Sequence, residues 1–163
     1  MPKQATIDAA KRDKSQGKSA STQAGEFVKE EMDKIRSGET GARNTKQAIA
    51  IGLSEARRSG VGLKAPAAGK TSEKTRKSAE SAYEKGQRQE PVDPVRSRAH
   101  EKAMKKEPHT AATPAALSKQ ARSAARQRTA SERSASAKKA ARTKGPAVRS
   151  AAAKKAAKTR GQV

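Results

Sequence analysis

Fourteen basic side chains crowd the last third of the chain: Lys119, Arg122, Arg126, Arg128, Arg133, Lys138, Lys139, Arg142, Lys144, Arg149, Lys154, Lys155, Lys158 and Arg160. A single acidic residue stands among them, so residues 114–163 carry a net +13 of the chain's +22. The chemistry such a run supports is neutralisation of closely spaced phosphates. Duplex DNA carries one charge per ~1.7 Å of axis, and each Lys or Arg that displaces a condensed counterion adds to affinity. In a helix Lys119, Arg122, Arg126 and Arg133 share one face. The segment Ala137–Gly145 recurs as Ala153–Gly161, with seven of nine positions identical and the other two exchanging Lys and Arg. That exchange keeps charge and discards shape, as expected of a charged polymer that makes no bidentate base contacts.

Other chemistry finds little support. Gly69-Lys70-Thr71 has the end of a phosphate-binding loop, but Lys64 occupies the place of its first glycine and no strand precedes it. His100 and His109 have only Glu101 and Glu107 near them in sequence, and the chain contains no cysteine, which excludes disulfides and zinc–thiolate sites. The 16 acidic residues are scattered among lysines, and the many Ser and Thr lack an organising base. One Phe, one Tyr and no Trp leave no platform for stacking on single strands. The expectation is a protein that is not an enzyme, with no cofactor, metal or small-molecule substrate.

The elements that must carry these cations are poor in apolar material. Leu, Ile, Val and Phe number 3, 4, 6 and 1, whereas alanine numbers 34. Such a chain cannot offset the ordering entropy of all its residues by burial, so most of it is expected to be mobile when alone. The large apolar residues concentrate between Ser19 and Leu63, as Phe27, Val28, Met32, Ile35, Ile49, Ile51, Leu53, Val61 and Leu63. The predicted fold is mostly α, a small helical hairpin over about 20–60 followed by further α-helical or disordered, cationic, low-complexity segments. The boundaries are a flexible arm over 1–18, the hairpin over 19–63, a polar linker with short helices over 64–113, and the basic tail over 114–163. The N-terminus lacks the apolar run of a signal peptide and no 18-residue apolar stretch exists, which predicts a soluble, cytoplasmic protein without membrane insertion.

Residues 5–14 form a short helix with only Ile7 to bury, which is expected to fray. The first hairpin helix is predicted to start at Ser21 or Thr22 and stop at Gly38, with Glu31 intruding on its apolar face. The second runs from Asn44, with Gln47 in capping-box position, to Gly60. Gly52 within it costs about 1 kcal/mol relative to Ala, tolerable if the first helix approaches closely there. Ile51 lies some 200° around that helix from Ile49; it is either a lone exposed apolar residue or part of a dimer or partner interface. Beyond the hairpin, helices are expected over 72–85 (stopped by Gly86), 94–106, 114–142 and, after the break at Gly145-Pro146, 147–159.

The segments Ser21-Thr-Gln-Ala-Gly-Glu-Phe-Val28 and Lys46-Gln-Ala-Ile-Ala-Ile-Gly-Leu-Ser-Glu-Ala-Arg57 resemble a family of small basic bacterial proteins of unknown function. The resemblance implies a bacterial origin and supplies no binding residues. The tail is similar in composition to the Lys/Ala-rich arms of linker-histone-like and nucleoid-associated proteins. The expected function is sequence-independent binding of double-stranded DNA in the nucleoid, through the fourteen cations named above. A free tail would be disordered and turn helical as phosphates quench its self-repulsion. The hairpin would serve a homodimer or a protein partner. The alternatives are a stress-protective hydrophilin, for which the mean hydropathy of −1.03 and 11 glycines speak, and a small RNA- or ribosome-associated protein. A protectant gains nothing from one cationic end, which favours DNA.

Overall fold

The computed structural model describes residues 1–161. Among them no strand occurs; the elements are α1 (Gln4–Ser15), α2 (Ala20–Arg36), α3 (Thr45–Arg58), α4 (Glu73–Gln87), α5 (Pro94–Met104), a 3-10 turn (His109–Ala112), α6 (Pro114–Arg126) and α7 (Ala130–Arg160). The chain divides into two units, residues 1–120 and the residues from Ala121 onward.

In the first unit α2 and α3 form the expected hairpin, set by local signals. Ser19, two residues ahead of the expected cap, precedes α2 with extended backbone. Gly38 at φ 77° lets its own N–H and that of Glu39 turn back to the carbonyls of Ile35 and Lys34 at 3.2 and 2.9 Å, satisfying groups that a helix end otherwise leaves open. Asn44 Oδ1 accepts the Gln47 N–H at 3.0 Å, and Gln47 Oε1 in return accepts the N–H of Arg43, one residue before the cap. The two helices then pack backbone to backbone. A Cβ on Gly52 would stand 2.7 Å from Val28 Cα and 3.0 Å from the Phe27 carbonyl oxygen, so the helix-weakening glycine permits the close approach.

Two small clusters of apolar side chains result. Met32, Ile35, Ala42 and Ala48 join Ala111 and Ala112 of the 3-10 turn, with Val28, Ile49 and Leu117 against them. Phe27, Ala24, Ala56 and Val61 join Ala10 of α1, with Ile7, Leu53 and Leu63 against them. Phe27 and Ile35 are the largest fully buried side chains. Of the nine large apolar residues in the hairpin, eight lie in these clusters; Ile51 is only half-buried.

Several neighbours are drawn onto the hairpin in ways its pattern does not announce. The segment expected to fray is α1, which packs on α2 and buries Ala10 and Asp13; Asp13 holds Lys18 Nζ at 2.6 Å. Gly86 does not stop α4, which continues to Gln87. It lies where a Cβ would collide with the Arg57 carbonyl, and so lets α4 settle on α3. The stretch 104–112 is bound to the hairpin turn by backbone groups. Gly41 N–H donates to Met104 O at 3.0 Å, Ala42 N–H to Pro108 O at 2.9 Å, and Thr45 Oγ1 to Ala111 O at 2.7 Å.

In the second unit the expectation of disorder is not supported. The tail is helical over α7, with one interruption at Gly145 (φ 66°, ψ 169°), where the Gly-Pro break was expected. Alanine has the highest helix propensity and Lys and Arg stand close behind it, which favours helix without any core. The single helix expected over 114–142 is instead two. α6 ends at Arg126 and a capping box restarts the chain: Thr129 Oγ1 accepts the Glu132 N–H at 3.2 Å, and Glu132 Oε2 accepts the Thr129 N–H at 2.8 Å. The last two tail residues, 162–163, lie outside the described residues.

Helix propensity alone makes Gly52→Ala stabilising, whereas the contact at Val28 makes it a clash. We expect the clash to win, with a loss of 1–3 kcal/mol, of the size found for overpacked cores. Urea denaturation of the variant against the parent reads the sign directly.

Candidate nucleic-acid interface

The side chains of all fourteen predicted phosphate-binding residues are exposed, from Lys119 at the end of the first unit to Arg160 in the second. The helices α6 and α7 bury no residue; the cations of α6 lie on one side of it, with Leu117 against the first apolar cluster, and those of α7 point around the helix. The carboxylate of Glu132, its one acidic residue, is turned onto the start of its own helix. Arg133 is held nearby, Nη1 donating to the Arg128 carbonyl and to Ala125 O. Thr143 and Thr159 hydroxyls donate to the carbonyls of Lys139 and Lys155, each at 3.0 Å, four residues back within their helix. Such bonds satisfy the hydroxyls locally.

Chemically, the arrangement offers ammonium and guanidinium donors at the surface. The lesser candidates are dispersed. Gly69 to Thr71 form part of an exposed turn between α3 and α4. His100 is exposed on α5, and His109 Nδ1 lies 2.8 Å from the Thr40 carbonyl oxygen. Among the described residues no three His, Asp or Glu side chains are grouped to hold a metal ion. Ile51 lies half-buried on α3, the helix against which α4 packs. No helix among the described residues is long and apolar enough to cross a membrane.

Sequence reasoning missed an ionic cluster buried between α2 and α3. Lys34, 5% exposed, sits 2.8 Å from Glu30 Oε1 and 3.9 Å from Glu55 Oε2, and its Nζ also donates to the Met1 carbonyl at 3.3 Å. Glu30 further accepts the Lys3 N–H at 2.9 and 3.1 Å. Glu31, 2% exposed, accepts from Thr40 Oγ1 at 3.4 Å, and among the described residues Glu55 Oε2 accepts no hydrogen bond. The environments separate these acids. Burial works to raise Glu30, but hydrogen bonds from Lys34, Thr6 and the Lys3 N–H outweigh it and hold the carboxyl below its usual range. Burial, together with the charge of Glu55, raises Glu31. Burial likewise raises Glu55 despite Lys34 and the N-terminal amine. Lys34 is raised: burial opposes its charge, and the Glu30 hydrogen bond and three carboxylates prevail. The only hint in the sequence was Glu31 on an apolar face; Glu30 and Lys34, four residues apart, look like an ordinary solvated pair.

A model of a family of unknown function (DUF6496) matches residues 11–68. The match takes in the last part of α1, all of α2 and α3, and both segments that carry the resemblance noted in the sequence; the cationic tail lies outside it. No curated protein and no solved structure matches the chain.

Because Glu31 holds its proton more tightly folded than unfolded, its ionised form weighs against the fold above the raised pKa, and that burden fades toward the ordinary carboxylate value of ~4.3. Glu31→Gln is therefore expected to stabilise the protein by about 1 kcal/mol at pH 7. The gap to the parent should close as pH falls through the folded pKa of Glu31. Thermal melts at pH 4, 5.5 and 7 check both the sign and the trend.

Proposed function

We propose that the protein binds double-stranded DNA without sequence preference, through the basic residues of its tail, as a nucleoid-associated protein of the cytoplasm. The observation that carries the reading is the exposure of all fourteen cations in a segment with one carboxylate. Phosphate spacing in duplex DNA rewards a long cationic surface more than a pocket, and helical backbone already in place lowers the ordering cost of docking. The absence of aromatic side chains from the tail favours a duplex over single strands. Residues 1–120 act as the folded body, with Ile51 and the hairpin surface available to a second copy or a protein partner. The segments at 21–28 and 46–57 are read as marks of the matched family, and the chain as bacterial. No catalytic step or cofactor enters this reading.

Fluorescence anisotropy of a labelled duplex between about 50 and 200 mM salt tests it. With roughly eight phosphates engaged, log affinity falls with a slope near −7 against log salt, about four decades over that range. A full-length variant with the tail cations changed to Gln should lose that slope. No binding by the parent at 50 mM salt would overturn the proposal.

A further inference from the structure

The helix starts of the tail fall at a fixed interval. Thr113 precedes α6, Thr129 precedes α7, and Gly145 interrupts α7, each 16 residues after the last. Both threonines have extended backbone, and each hydroxyl accepts the N–H three residues on: Ala116 N to Thr113 Oγ1 at 3.3 Å, and Glu132 N to Thr129 Oγ1 at 3.2 Å. The third start replaces the threonine cap with Gly145 at φ 66° followed by Pro146, as Pro114 follows Thr113. Pro fits the first turn of a helix because no partner is needed there for its missing N–H.

Sequence follows the same register beyond the duplicated segment already noted. Written as 113–128, 129–144 and 145–160, the three stretches share Ser at their sixth position and Ala at their ninth, twelfth and thirteenth. They are always basic at the tenth, fourteenth and sixteenth: Arg122, Arg126 and Arg128, then Lys138, Arg142 and Lys144, then Lys154, Lys158 and Arg160. Their net charges are +4, +4 and +5. Thr143 and Thr159, which make the same bond to the carbonyl four residues back, are equivalent positions of the second and third stretches.

The repeat places charge on an equivalent face each time. The tenth and fourteenth positions are one turn apart, ~40° around the helix. In the second and third stretches Lys139 and Lys155 widen that face to ~100°; in the first, Ser123 stands there and Lys119 falls within ~60° of Arg122 instead. A helical stretch of 16 residues is ~24 Å long, a length over which duplex DNA carries ~14 phosphate charges, so each stretch has more phosphates in reach than cations to meet them.

We propose that residues 113–160 are three copies of one cationic helical unit, and that each copy grips the phosphates of duplex DNA independently, so that the number of copies sets the number of ionic contacts. The inference rests on the DNA-binding reading above and adds its stoichiometry. Independence follows from the breaks: each unit begins at its own cap or glycine, so the face of one does not depend on helical continuity with the last.

The test neutralises one unit at a time in the full-length chain, changing its Lys and Arg to Gln, which keeps helix propensity. Circular dichroism verifies that helicity is retained, and the salt slope of duplex binding is read for each variant. Each neutralised unit should lower the slope by the same step, about a third of the parent's (~2 for a parent slope near −7), and two units together by twice that. A unit whose loss leaves the slope within about 1 of the parent, or one whose loss alone abolishes binding, overturns the modular inference while the parent still binds. Failure of the parent itself to bind at low salt would instead remove the DNA-binding reading on which the inference stands.

Discussion

The contact of α2 with α3 over Gly52 is the constraint from which the folded body follows. With few large apolar residues to bury, the chain gains its packing by bringing backbones together. Gly52 beneath Val28, and Gly86 beneath the Arg57 carbonyl, are where this happens. Close approach lets alanines count as core: Ala24, Ala48, Ala56, Ala111 and Ala112 are all buried, and only Phe27 and Ile35 are large and fully enclosed. The same approach traps Lys34 among Glu30, Glu31 and Glu55, groups that on more widely spaced helices would stay in water. A buried pair of this kind contributes little net stability, since desolvation works against its attraction, but removing one partner strands the rest.

The tail obeys a different constraint. Along α7 it has no residue to bury, so propensity and capping shape it. Alanine supplies helix, the Thr-x-x-Glu box and the Gly-Pro pair divide it, and the cations remain outside. The body therefore mixes acid and base closely enough to bury them, whereas the tail holds nearly all base. That segregation of charge along one chain links the structure to the proposed function, because the nearly pure cationic end attracts a polyanion more strongly than the mixed body does.

Much of the hairpin was legible because its signals are local. Asn44 and Gly38 act within a few residues of themselves, and Gly52 is explained by a single neighbour. What the sequence concealed is built from groups that carry no pattern. The stretch 104–112 joins the body through backbone hydrogen bonds and two alanines, which hydropathy does not register. Gly86 reads as a stop until α3 is known to press on it. Glu30 and Lys34 read as solvated because spacing along one helix says nothing of a third carboxylate on another. Thr129 and Glu132 were in plain sight as a capping box, but the run of good helix formers on either side disguised the restart. The exposure of the basic residues is legible from charge, and the tail's helices from its Pro and alanine signals. Their formation in the free chain is not, because low apolar content argues for disorder where alanine's propensity argues for helix.

The central claim is that the cationic end, and not the folded body, meets DNA. Lysine acylation followed by mass spectrometry, with and without a duplex, measures this residue by residue. Lys138, Lys139, Lys154, Lys155 and Lys158 should be protected, while Lys46, Lys64 and Lys74, equally exposed in the body, should react as before. Protection of the body lysines with the tail left reactive would contradict the account.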